Sequence, residues 1–397
     1  MGKTTEKQLG LKRSYDFDAV TEAVTVLAVN EPITPPPLLW GGIGVGKTTF
    51  CETLAAQLGM SFYQLPASHI DPALLHGIPI ADTKASVTAF LPPEFVAADK
   101  TFLLIDEVNT APESVIAAVM ETIRTRRIGR KVYADLKVVL AANPPQLAAG
   151  GFSMPLPLRN RVVHIDWKLP LTHFRLVTAL PPFDRKVEHT TAALPIADMN
   201  EIRKWWSWAS GIVDAFLNKF PHLYYEEDTI ERGDAYEFGT PRTWDYVKVI
   251  LAVFRSVNAS PSALAVAILG TVGDAAQDFF TFMTESGVPH AEEILNDPTI
   301  LLNLRADVFY ISVFALTSFL AQNPDKDVVE KFFDVISFLI SRKKHDYAML
   351  LLDSVSRMIR SGVKLVIPLR KLSEAELNLL QRIHDITAKL GGGKNEQ

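Results

Sequence analysis

The sequence predicts an α/β fold in which a parallel sheet is covered by helices, followed by an all-helical remainder. Two observations lead there. From about residue 14 to 168, short apolar runs alternate with stretches of helical period, as strands and crossover helices do in a parallel sheet. After proline-containing segments near Leu169–Pro182, almost every apolar stripe has helical spacing. The expected division is a core over 1–169, a helical lid over 170–286 and a C-terminal helical domain over 290–390, the last break falling at Gly287-Val288-Pro289.

The expected strands are Leu38–Trp40, Ser61–Leu65, Phe102–Asp106, Val138–Ala142 and Val162–Trp167. Helices are expected at Thr48–Leu58 and Pro112–Arg124; in the second, Val115, Ile116, Val119, Met120 and Ile123 fall on one face. Between them, Gly77-Ile78-Pro79-Ile80 and Val87-Thr88-Ala89-Phe90 flank a polar Ala81–Ser86 turn, which reads as a hairpin inserted into a helix. Further on, Asn323-Pro324 suits an N-cap with Pro at the first helical position, and Ser373-Glu374-Ala375-Glu376 fits a capping box. The stripes Phe309, Val313, Leu316, Leu320 and Phe332, Val335, Ile336, Leu339 read as core. Trp205, Trp206 and Trp208 are expected in lid core and contact surface, and Gly391–Gln397 as a disordered tail.

Composition narrows the function. At 397 residues, two or three domains are expected. A net charge of −5 gives no general attraction to nucleic acid. The single Cys51 permits neither an intrachain disulfide nor a thiolate cluster, and the nine histidines lack metal-ligand spacing. Residues 1–6 lack a signal peptide's apolar run, Glu6 stands where a myristoylation signal wants Ser or Thr, and no stretch approaches ~18 uninterrupted apolar residues. A soluble, cytoplasmic protein without membrane contact is expected.

The chemistry begins at Gly41-Gly42-Ile43-Gly44-Val45-Gly46-Lys47-Thr48, followed by Thr49, which fits G-x-x-x-x-G-K-[ST] directly after an apolar strand. Glycines let successive N–H groups turn inward, Lys47 can reach β- and γ-phosphates, and Thr48 can hold Mg²⁺ at a helix N-terminus. Gly2-Lys3-Thr4-Thr5 repeats the letters without a preceding strand and is not a second cradle. Phe102-Leu103-Leu104-Ile105 then leads to Asp106, placed to order the metal, and Glu107, placed to polarise an attacking water. A third strand ends in Asn143-Pro144, whose amide could hold that water. Arg124, Arg126, Arg127, Arg130 and Lys131 form the strongest basic cluster; it lacks interleaved aromatics for stacking on bases, and a pore-edge or subunit-contact role is preferred.

In this order the segments resemble the AAA+ ATPases, and among them the MoxR-like group related to midasin and dynein modules. The resemblance covers roughly 15–285. It rests on the cradle, on Leu104-Ile105-Asp106-Glu107-Val108-Asn109-Thr110-Ala111-Pro112, on Ala142-Asn143-Pro144 and on Pro157-Leu158-Arg159-Asn160-Arg161. Thr110 departs from it where many members carry Arg. The resemblance implies an AAA+ P-loop αβα core, ATP and Mg²⁺ as cofactors, and a homo-oligomeric ring, a hexamer by expectation. It also implies an arginine finger acting in trans, with Arg161 the first choice and Arg159 the second. Gly239-Thr240-Pro241-Arg242 resembles the second sensor, with Thr240 as cap and Arg242 coupling lid angle to phosphate occupancy. The hairpin matches an insert that faces the ring pore. The implied partner is a protein substrate, in this family often one with a von Willebrand factor A domain. A nucleic-acid-associated motor or loader is the alternative, against which the net acidity counts.

Overall fold

The computed structural model describes residues 16–82, 86–91, 100–128, 131–144, 154–178, 193–233, 235–287, 289–304 and 306–360. It divides into two compact units, Met1–Asp198 with Leu223–Gln277, and Met199–His222 with Asp278–Gln397. The Gly2–Thr5 repeat, Arg130, the Ser373 capping box and the 391–397 tail lie outside the described residues.

In the first unit, α1 (Phe17–Val29) precedes β1 (Pro37–Trp40), α2 (Lys47–Gln57) and β2 (Ser61–Pro66). A short α3 (Ala73–His76) leads into an antiparallel hairpin, β3 (Ile78–Asp82) with β4 (Val87–Leu91), in which Ile80 pairs with Ala89. The expected hairpin is therefore present, and its Ile78, Ile80 and Val87 are exposed. There follow β5 (Thr101–Asp106), α4 (Glu113–Thr125), the two-residue ribbon of β6 (Arg127–Ile128) and β7 (Lys131–Val132), and β8 (Lys137–Ala142). α5 (Leu156–Arg159), β9 (Val163–Asp166) and α6 (Leu171–Val177) complete the sheet region.

Five strands form one sheet in the order β2-β5-β8-β1-β9, every pair parallel. All five expected strands are found, with ends shifted by one residue at most. The three central strands carry buried apolar runs, Leu38–Trp40, Phe102–Ile105 and Val138–Ala142, because helices cover a parallel sheet on both faces. The registers Trp40↔Ala142, Trp40↔Asp166 and Pro66↔Asp106 bring the strands' carboxyl ends to one edge, where ligands of such sheets bind.

The helices α8 (Glu227–Arg232), α9 (Pro241–Ser256) and α10 (Pro261–Val272) also belong to this unit. α10 packs on α1, α9 and β9, and Gly270 is needed there: a Cβ would stand 2.1 Å from the His164 carbonyl. The expected lid boundaries at 170 and 286 thus do not coincide with the compact units.

The second unit joins α7 (Met199–Lys219) and most of α11 (Ala275–Ser286) to α12 (Ala291–Asn296), α13 (Ala306–Gln322), α14 (Lys326–Ser341) and α15 (His345–Arg360). α7 lies so close to α13 that a Cβ on Gly211 would meet the Ala315 backbone N at 2.8 Å. α7, with Trp208 buried, thus belongs to the second unit. Both predicted stripes are buried in the bundle core, where Phe309 stacks on Tyr347 at 3.8 Å. Asn323 does not cap α14, whose N-cap is Asp325. Its backbone N–H and side-chain amide instead donate to Phe319 O, closing the end of α13, because its carbonyls still need donors there.

Candidate functional site

β1 delivers the chain into a loop that only glycine could make. Gly44 and Gly46 have φ of +74° and +82°, and a Cβ on Gly41 would lie 2.6 Å from the Trp167 carbonyl. α2 opens at Lys47 with Gly46 as N-cap and no side-chain cap, so its first-turn N–H groups remain for an anion. Ile43, Gly44 and Thr49 are exposed, Gly42, Val45, Gly46 and Thr48 half-buried, and Gly41 buried. Lys47 is buried beneath the loop. Its Nζ donates to Gly41 O at 2.6 Å, Gly42 O at 3.0 Å and Asn143 Oδ1 at 3.2 Å. Burial lowers its pKa, opposed by the charges of Asp106 and Glu107. Cys51 lies buried one turn on, its thiol pushed up by desolvation, and is no nucleophile.

The acidic pair stands at the end of the buried β5. Asp106 Oδ2 accepts from Gln64 Nε2 at 2.9 Å, and its Oδ1 accepts from the Glu107 N–H at 2.8 Å. Glu107 takes φ +55°, ψ +34°, a left-handed conformation costly for a residue with a Cβ and concentrated at functional sites. Ser68 Oγ donates to Glu107 Oε2 at 2.6 Å, and Thr110 Oγ1 to Glu107 O at 2.8 Å. Asn109 Nδ2 donates to the Asn143 carbonyl at 2.9 Å, while its Oδ1 is buried without a partner. One hydrogen-bonded group therefore spans the ends of β1, β2, β5 and β8. Sequence reasoning missed Gln64 and Ser68, which lie at the end of the strand paired with β5; only that adjacency marks them.

The arginines separate. Arg159, the second-choice finger, is 4% exposed. Its Nε donates to Met154 O at 2.6 Å and its Nη1 to Gly233 O and Ala235 O at 3.0 and 2.8 Å, with the guanidinium 4.9 Å from the Tyr236 ring centre. That guanidinium is engaged inside its own chain. Arg161 is half-buried, with Nη1 donating to Pro157 O at 2.5 Å. Arg161 and the exposed Arg242 line one cavity of 440 Å³ with Asn160, Tyr225, Phe238 and Thr240. Burial lowers the Arg161 pKa and the Arg242 charge lowers it further; the Tyr246 phenol is raised by burial and pulled back by both arginines. Thr240 closes a capping box with Thr243 at the start of α9 and donates to Asn160 Oδ1 at 2.8 Å, which ties Arg242 to the turn that bears Arg161.

A relay joins that turn to the cradle. Trp40 Nε1 donates to His164 Nδ1 at 3.0 Å, which leaves the proton of the neutral ring on Nε2, 3.0 Å from Arg159 O. Three members of the expected basic cluster have partners of their own: Arg124 pairs with Glu121 at 2.6 Å, Arg126 is buried against Glu31 at 3.0 Å, and Lys131 sits 4.9 Å from the Tyr133 ring centre.

Residues 37–150 match the family model described as the ATPase family associated with various cellular activities (AAA). The matched residues hold the cradle, the acidic strand and the end of β8, and the five-stranded parallel sheet with its flanking helices and the helical region that follows make the fold α/β. Among solved structures, the chain is similar to that of a protein proposed to be an ATPase from Cytophaga hutchinsonii, at 19% identity and a TM-score of 0.43, over 68% of this chain and 92% of that one. No curated protein matches the chain.

Proposed function

We propose that the chain is a Mg²⁺-dependent ATPase of the MoxR-like AAA+ type, which assembles as a ring, hexameric by analogy, and remodels or activates a protein partner in the cytoplasm. The observation that carries this reading is the convergence of Lys47, Asn143, Asp106 and Glu107 at one sheet edge beside an uncapped helix N-terminus. Buried cation, left-handed glycines and paired carboxylates fit a triphosphate and its metal. Thr48 and Asp106 would hold Mg²⁺, which when bound neutralises charge between the phosphates.

Lys47 now spends its three donors on Gly41, Gly42 and Asn143 and would turn them to β- and γ-phosphate oxygens. Glu107, released from Ser68, would accept the proton of the attacking water while the Asn143 amide orients it. Arg161 and Arg242, which share one cavity, together suit a γ-phosphate presented by a neighbouring subunit. Arg242 is therefore read with Arg161 rather than with its own cradle. A von Willebrand factor A domain remains the proposed kind of partner, on the family resemblance. The pairing of Arg124 with Glu121 and the burial of Arg126 against Glu31 weigh against a nucleic-acid-associated motor or loader.

A trap variant tests the reading. Glu107→Gln with ATP should retain a protein partner that the same variant with ADP, and Lys47→Ala, release. Equal retention by all three contradicts ATP-dependent partner remodelling.

A further inference from the structure

Trp167 follows β9 and touches the cradle at two points. Its backbone N–H donates to Trp40 O at 2.6 Å, directly before the loop, and its indole Nε1–H donates to Val45 O at 3.0 Å, within it. The ring is 2% exposed and held on two sides, edge-on to Phe17 of α1 at 5.0 Å and tilted against Phe50 of α2 at 4.8 Å. Its own carbonyl lies where any side chain on Gly41 would collide.

In a planar trans peptide the carbonyl of one residue and the N–H of the next point in opposite directions. Anchoring Val45 O on the indole therefore turns the Gly46 N–H away from Trp167. We propose that Trp167 is a positioning residue for nucleotide binding: it pre-organises the Val45–Gly46 peptide so that this N–H is aimed before the ligand arrives. The proposal rests on the ATP reading above. It gives a function to an aromatic that would otherwise count as core, and it predicts that the indole N–H, not the ring's bulk, sets affinity.

The test is replacement of Trp167 by β-(3-benzothienyl)alanine, which keeps the bicyclic ring and replaces the N–H by sulfur, with Trp167→Phe as a second variant. ATP dissociation constants, kcat and apo melting temperatures are measured beside wild type and Lys47→Ala. The expected result for the isostere is an ATP Kd raised about fivefold, the size of one neutral hydrogen bond lost from a pre-organised loop, with kcat within about twofold and apo melting unchanged. A wild-type Kd in the isostere overturns the proposal, as does a lowered melting temperature or kcat at unchanged Kd. If wild type itself binds no ATP, or Lys47→Ala binds it equally well, the nucleotide reading falls, and the proposal with it.

Discussion

Arg159 and Arg161 stand two residues apart and do different work. Arg159 satisfies the carbonyls of Met154, Gly233 and Ala235 and covers the Tyr236 ring. Arg159→Ala leaves one buried and two half-buried acceptors without this donor, and a loss of about 2–4 kcal/mol of stability is expected in denaturant unfolding. Arg161→Ala should leave unfolding unchanged and lower ATP turnover at least about tenfold, with partial recovery in rings mixed with Lys47→Ala subunits. Unchanged stability in Arg159→Ala would refute its structural assignment. Residue type at these positions was legible in the sequence; burial was not, because the acceptors at 233 and 235 lie 74 and 76 residues further along the chain. Glu107 shows the same limit. Its place after four apolar residues marked it as an acid at a strand end, but nothing local announced the left-handed backbone or the bond from Ser68.

At the scale of elements, a buried ion pair pins the sheet to its helices. Glu31, just beyond α1, accepts from Arg126, the left-handed C-cap of α4, and from the Val138 N–H of β8, while Lys137 donates to its backbone carbonyl. Burial raises the Glu31 pKa; the Arg126 charge and the Val138 N–H oppose it. Removing one partner leaves an uncompensated charge in the core. Arg126→Met alone should therefore cost about 3–5 kcal/mol, and the double variant Glu31→Leu/Arg126→Met should recover most of that. Additive losses in chemical unfolding would show that the two do not act as a pair. The strands and the β3–β4 hairpin were readable because their patterns are local, a buried run or an apolar segment on either side of a polar turn. This pair was not, since Arg126 reads as one more member of a basic run until Glu31, 95 residues earlier, is folded against it.

At the scale of the whole chain, the compact units are interleaved in sequence. α7 precedes α8, α9 and α10, which belong to the unit that holds the sheet, yet it belongs to the bundle that follows them. Helical period showed that α7 is a helix but not which surface its apolar stripe would cover, so a boundary near 286 parted it from α13. Gly211 held a hint, a residue without a side chain where α13 passes. In the first unit the strand ends converge on the site proposed to bind and hydrolyse ATP. ATP binding and turnover measured in parallel for wild type, Lys47→Ala and Glu107→Gln test it most directly. Turnover is expected in wild type, loss of binding in Lys47→Ala, and binding without turnover in Glu107→Gln; hydrolysis by Glu107→Gln at the wild-type rate, or undiminished binding by Lys47→Ala, would rule out this site.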